Sequence, residues 1–332
     1  MRPMRAVVGL AAVTSLSLTA SGCVTVHGEL AVVPSAKRSE AARALKVFTD
    51  AYNASDLAYD PALDAEQVTG ALGAINQAGL KSRSVTDPGG NPRHVPLELT
   101  DAKFTIPKKA GWPRFFLADT DSNRDVDGGP QDNSWLLVFV RNAKDRPWEV
   151  AYLTILAKGA VPAFKTDKDG WGEAISPDDS DFAVAPKALS AEYTSYLRTG
   201  EPAHFAPGPH TTAWRTDRQK RARVPGFTQQ YVDQPLNGGD FAPVGLATED
   251  GGAFVFFATR FFERQTAAKG LRPQVSADVK ALMTGTVTNT VTKEWMSNQA
   301  VVVPRAGAGA GTASGQVDVI GRLQGVTGAV GS

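Results

Sequence analysis

The stretch VGLATEDGGAFVFFATR occupies residues 244–260, and RFFLADTD at 114–121 with SWLLVFVRN at 134–142 echoes it. Each is an apolar run, an acidic turn, and then an aromatic-rich run that closes on an arginine, Arg141 or Arg260. Short runs rich in Val, Phe and Leu between Asp and Gly read as strands, and Asp-Gly reads as a hairpin turn. In AFVFFATRFF, residues 253–262, apolar side chains stand at both strand parities. A strand apolar on both faces is either central in a core or lines a pocket. WEVAYLTIL at 148–156 and EWMSNQAVVV at 294–303 take the next slot in each half. The shared order predicts a tandem duplication. Two unrelated α+β units are the alternative.

Working outward, helical signals precede both strand runs. SEAARALKVFTDAYNASD, residues 39–56, places Ala41, Ala44, Leu45, Phe48, Ala51 and Tyr52 at three- and four-residue spacing behind a capping Ser39. A second helix is expected after Asp64, with Gln67 three residues on as in a capping box. In the second half, PKALSAEYTSYLRTG carries Leu189, Tyr193, Tyr196 and Leu197 on one face, with Gly200 placed to end the helix. Helices followed by an antiparallel meander define an α+β class. The expected layout is a first α+β domain over 39–165, a linker over 166–186 rich in Asp, Gly and Pro, and a second domain over 187–332.

The start of the chain carries other information. Arg2 and Arg5 precede an uncharged run from Ala6 to Ala20, and Ser21, Gly22 and Cys23 follow. This is an export signal over 1–22, to be set aside in fold reasoning. A tether over 23–38 comes next. Cys23 is the only cysteine, so no disulfide forms within the mature chain, and burial has to hold the fold. ASGC, residues 20–23, resembles the lipobox of bacterial lipoproteins, with Ala20 where Leu is commonest. That resemblance implies that the Cys23 thiol carries a diacylglyceryl group. Two acyl chains suffice for stable anchoring. The alternative is a secreted protein with a free thiol at Cys23. The 35 basic and 34 acidic residues balance, so overall charge gives no global pull toward nucleic acid or anionic membrane.

Catalytic and metal signals are sparse. His27, His94, His204 and His210 have no zinc spacing and no cysteine partner. There is no Gly-x-Ser-x-Gly elbow and no phosphate loop. The Gly/Ala run at 306–315 reads as a hairpin loop. WRTDRQKRARVPG, from Trp214, is the densest basic run, and reads either as contact with anionic lipid or as a solvated helix end. DTDSNRDVDGG places Asp119, Asp121, Asn123, Asp125 and Asp127 at every second position, the spacing of calcium ligands. A calcium hand also needs Gly at position six and Glu at twelve. From Asn123, Gly128 fits but Ser134 stands at twelve. The loop therefore reads as an elongated acidic hairpin tip, with the five residues kept as a candidate calcium set.

Element order, a helix or two before a long curled sheet, is similar to the nuclear transport factor 2-like cone fold, here in tandem. The lipobox, RFFLADTD with LLVFVRN, TEDGGAFVFFATR, QTAAKG and the closing GRLQGVTGA resemble lipoproteins of actinobacteria that have no assigned activity. The resemblance implies an anchored protein on the outer face of the cell membrane. The expectation is a binding or interaction protein without a cofactor. Its partners are the membrane, through Cys23, and either an envelope protein or an apolar small molecule. Alternatives are a cone-fold enzyme using a buried carboxylate and a structural envelope protein.

Overall fold

A computed structural model describes residues 31–307 and 315–332. The signal over 1–22, Cys23 and the tether up to residue 30 lie outside the described residues, as does most of the Gly/Ala loop. Strand β1 (Val33–Pro34) and helix α1 (Arg38–Ala58) open the described chain. The helix turns its three- and four-spaced residues inward, burying Ala41, Leu45 and Phe48. Helix α2 (Gly70–Thr86) starts later than the Asp64 signal suggests. Asp64 is fully buried, and its carboxylate accepts from Ser55 Oγ, Asn76 Nδ2 and Gln77 Nε2 at 2.6–2.9 Å. It ties α1 to α2 and does not cap the second helix.

Strands β2 (Leu99–Thr105), β3 (Pro107–Lys109), β4 (Arg114–Ser122), β5 (Asn133–Arg141), β6 (Glu149–Ala157) and β7 (Gly172–Glu173) complete the first half. The second half holds α3 (Leu189–Thr199), α4 (Thr212–Arg221), β8 (Arg223–Val224), β9 (Phe227–Leu236), β10 (Val244–Ala247) and β11 (Ala253–Ala267). Then come α5 (Ala277–Ala281), β12 (Met283–Gly285), β13 (Thr290–Val303) and β14 (Asp318–Gly331). Gly200 ends α3 in the left-handed region at φ 91, as its position predicts. Strand β13 runs unbroken through Trp295.

The class is α+β, with curled sheets that include a half-barrel. A four-stranded sheet has the order β2-β4-β5-β6. A seven-stranded sheet has the order β12-β14-β13-β11-β9-β8, with β10 beside β11. Most neighbours are antiparallel, but β12 runs parallel to β14. The hairpins β4–β5 and β10–β11 each lead to a next antiparallel partner, β6 or β13, but β4 also pairs with β2 whereas β10, among the described strands, pairs with β11 alone.

The two large sheets pack face to face. Phe115, Leu117, Leu136, Val138 and Tyr152 of the first meet Phe254, Phe256, Ala258, Met296 and Ala300 of the second in one buried cluster. The opposite parity of the first sheet, with Phe116, Leu137 and Phe139, packs on α1 through Leu45 and Phe48. The opposite parity of the second, with Val255, Phe257 and Val301, packs on α3 through Leu189, Tyr193 and Leu197. The order is helix, sheet, sheet, helix. This is why both hallmark strands are apolar on both faces.

Glycines set how closely the layers approach. A Cβ at Gly321 would lie 2.2 Å from Thr154 Oγ1, and one at Gly325 would lie 2.8 Å from Ile75 Cγ2. The closing GRLQGVTGA run is thus where β14 passes close to β6 and α2. The segment at 166–186 and its approach are stitched to both halves. Gly172 pairs with Pro107, and Ala174 with Leu246, while Lys165 and Ile175 donate to the carbonyls of Ala247 and Gly245.

Candidate binding cleft

Two elements that the sequence marks only weakly, α2 with its internal glycines and the short α5, build a cleft against β13 and β14. Ile75 fixes the first turns of α2 on Gly325. The far end of α2 meets α5, where Ser82 Oγ donates to the Asp278 carbonyl at 2.9 Å. Ser276 caps α5 by accepting from Val279 N–H at 3.3 Å. Between these helices and the sheet lies a cleft of about 500 Å³, lined among others by Arg83, Val279, Leu282, Lys293, Trp295 and Val326.

The cleft has an apolar wall, with the cations Arg83 and Lys293 and the carboxylate residue Asp278 beside it. Trp295 stacks on Phe261 with ring centres 5.6 Å apart and planes 6° apart. Its indole Nε1 is buried and, among the described residues, has no hydrogen-bond partner. Arg83 lies over the Tyr59 ring at 5.5 Å and reaches Asp56 at 3.4 Å. Lys293 reaches Glu263 at 3.3 Å. Both contacts are longer than charged hydrogen bonds, which run to about 2.9 Å.

Behind Trp295, across Phe261, lies a buried charged cluster. Arg218 is 5% exposed and pairs with Asp233. Its guanidinium faces Trp214, Tyr231 and Phe261 at 4.6–4.9 Å. Arg322 also lies over the Trp214 ring, at 4.1 Å. Burial pulls Arg322 below the usual guanidinium range. Of the basic run from Trp214, Arg218 is buried and Arg215 is half-buried over Tyr196, while Lys220, Arg221 and Arg223 are exposed.

The candidate calcium residues do not converge. Asp119 sits in β4 opposite Leu136. Asp121 pairs with Lys158 at 3.1 Å, and Asn123 Oδ1 accepts from Glu98 N–H. Asp125 accepts from Asn133 N–H at 2.6 Å, and Asp127 is exposed. Asp132 joins Asp121 around Lys158, 2.6 Å from its Nζ. Lys158 is the cation of this hairpin, and the two carboxylates hold its ammonium well above the usual lysine range. Among the described residues, no three His, Cys, Asp or Glu side chains form a metal-sized group. No described helix is long and apolar enough to cross a membrane.

Sequence reasoning names Trp295 as a strand aromatic and misses its cleft. The available signal was an indole between Glu294 and Met296 on a strand also carrying Lys293, a polar surround unusual for a core tryptophan. Neither Asp64 nor Asp233, the buried carboxylates, lines the cleft.

Fold and cleft together define an α+β protein of two facing sheets with a pocket the size of a small molecule. The chain belongs to the family described as Domain of unknown function (DUF8094), whose model matches residues 32–331. It is 54% identical over 318 residues to Uncharacterized lipoprotein SCO2278 of Streptomyces coelicolor, covering 96% of this chain and 92% of that protein. It is 51% identical over 321 residues to an uncharacterized lipoprotein of Streptomyces avermitilis, covering 96% and 93%. The name lipoprotein agrees with the expectation of a lipoprotein. No solved structure matches the chain.

Proposed function

We propose that this lipoprotein is held on the outer face of the cell membrane through Cys23 and binds a small amphipathic molecule in the cleft of Trp295. The carrying observation is the cleft itself. Its volume of about 500 Å³ falls within the range of about 300–1,000 Å³ for small-ligand sites. Val279, Leu282, Val326 and the Trp295 ring suit an apolar body. Arg83 and Lys293 suit an anionic group on it.

Two observations favour binding over carboxylate chemistry. The space between the sheets is filled by side chains. The carboxylates buried in the fold are already engaged, Asp64 by three neutral donors and Asp233 by Arg218. In this reading the two halves, 39–165 and 187–332, act as one scaffold. Native mass spectrometry of the full acylated chain taken gently from membranes tests it. A small-molecule adduct should accompany the wild type and be absent from Val326→Trp, which fills the cleft. An adduct-free wild type, or an adduct equally retained by Val326→Trp, overturns the cleft as the site.

A further inference from the structure

The tether enters the fold at β1, at a pole that gathers cations and tryptophans. Strand β1 pairs with β3, so that Val33 lies opposite Lys109. The same small sheet continues to β7, where Pro107 lies opposite Gly172. Arg38 spans this edge, donating to the Gly170 carbonyl at 3.0 Å and lying over the Trp171 ring at 5.2 Å. Directly after β3, Trp112 is flanked by Arg114 at 4.8 Å and Arg141 at 5.3 Å. Arg114 and Arg141 are cross-strand neighbours in β4 and β5. Like charges placed opposite one another are unfavourable unless something compensates them.

Compensation within the fold is incomplete. Glu40 serves Arg141 at 2.8 Å and also accepts from Trp148 Nε1 at 3.0 Å. Asp167 serves Lys108. Lys37, Arg38, Lys109 and Arg114 form no ion pair among the described residues. Burial and the Arg114 charge pull Lys109 below the usual lysine range. A cation held partly desolvated beside a second cation lacks an anion. Half-buried tryptophans at 112, 148 and 171 stand among these cations, the pairing found where proteins meet lipid headgroups.

The chain itself brings this pole to the membrane. Ten peptide steps separate Cys23 from Val33, and such a tether reaches at most about 35 Å. We infer that the surface around Lys109, Arg114 and Trp112 docks on the anionic headgroups of the leaflet that holds the Cys23 lipid, fixing the protein's orientation on the membrane. The inference rests on the anchor at Cys23 and is independent of the cleft. An orientation set at this pole gives the anchor a second contact. Each basic residue near an anionic surface strengthens docking about fivefold, so removing Lys109 and Arg114 weakens it about twenty-five-fold.

The test uses the full acylated chain in vesicles of phosphatidylcholine, with or without a third of phosphatidylglycerol. Flotation reports the anchor, and quenching of tryptophan fluorescence by a nitroxide at headgroup depth reports the pole. Quenching is expected only in the anionic vesicles. It should be lost in high salt, reduced in Trp112→Phe and abolished in Lys109→Gln with Arg114→Gln. Lys109→Gln alone, at a position outside the core clusters, should reduce it where the double variant melts early. Flotation with equal quenching in both vesicles, or quenching unchanged by Lys109→Gln, overturns the docking while leaving the anchor intact. Failure to float overturns the anchor and the docking with it. The cleft is tested separately by its adduct.

Discussion

Arg218 and Asp233 form a buried ion pair through a single nitrogen. Arg218 Nη1 donates to both carboxylate oxygens, at 2.9 and 2.8 Å, while the two side chains are 6% and 7% exposed. Burial raises the Asp233 carboxyl against the opposing pull of Arg218. The pair therefore contributes less as attraction than its loss would cost. Asp233→Ala leaves an uncompensated guanidinium among Trp214, Tyr231 and Phe261, and should cost about 3–5 kcal/mol. Arg218→Met with Asp233→Leu should cost much less, because no charge is stranded. Urea unfolding of the single and double variants measures this. A double variant as unstable as the single one would show that the aromatic box needs the cation itself.

Gly321 of β14 lies close against Thr154 of β6. Gly321→Ala places a methyl group 2.2 Å from Thr154 Oγ1, in a site where Thr154 is 2% exposed. Neither β6 nor β14 can move without disturbing the shared core, so the overpacking should cost about 1–3 kcal/mol. Thr154→Ala removes the obstructing atom and should restore part of that stability in the Gly321→Ala background. Thermal melts of the four members of the cycle supply the check. Purely additive losses would place the strain elsewhere in β14.

His210 supplies a pH dependence whose sign follows from its surroundings. Burial, and then the Arg322 charge, lowers its pKa below the ordinary 6.5. Its Nδ1 is buried and has no partner among the described residues, and its carbonyl accepts from the Tyr193 hydroxyl at 2.6 Å. A histidine whose folded pKa is depressed takes up its proton more readily when unfolded. Its contribution is fully present above pH 6.5 and is lost as pH falls toward the lower folded value. His210→Gln should flatten that part of the stability profile while changing little at pH 8. Denaturant midpoints on both sides of pH 6.5 test it, and parallel profiles for wild type and variant would refute it.

The parts of this fold that show in the sequence are those with local causes. The α1 face shows in the spacing of Ala41, Leu45 and Phe48, and the end of α3 shows in Gly200. The strands show because Phe254 to Phe257 are apolar at both parities. That pattern says each face is covered without saying by what, and here a second sheet covers one of them. Gly321 and Gly325 read as weak strand residues until the neighbouring side chains are in place, since a glycine in a strand often marks another element's close approach. Asp64 has the spacing of a cap but is drawn into the core by Ser55, Asn76 and Gln77. The cleft is least legible, because Arg83, Val279 and Trp295 are far apart in the chain and converge only when α2 and α5 meet the sheet.

Lys158 decides the behaviour of the acidic hairpin. Its ammonium lies 3.1 Å from Asp121 and 2.6 Å from Asp132, and Gly128 N–H donates to the other oxygen of Asp132. The lysine and that N–H hold the Asp132 carboxyl below its usual range. With the local charge already met, millimolar calcium should leave the wild-type Tm unchanged. Lys158→Ala leaves two carboxylates facing each other without a counter-ion. Its Tm should fall in ion-free buffer and recover on adding calcium, by about 2–4 °C if the ion exceeds its Kd tenfold. Sodium at matched ionic strength should restore less, since two carboxylates favour a divalent partner over general screening. Differential scanning fluorimetry with calcium and sodium titrations distinguishes these outcomes. A wild-type Tm that climbs with calcium would mean that Lys158 yields its place to the ion and that Asp121, Asp125 and Asp132 rearrange to receive it.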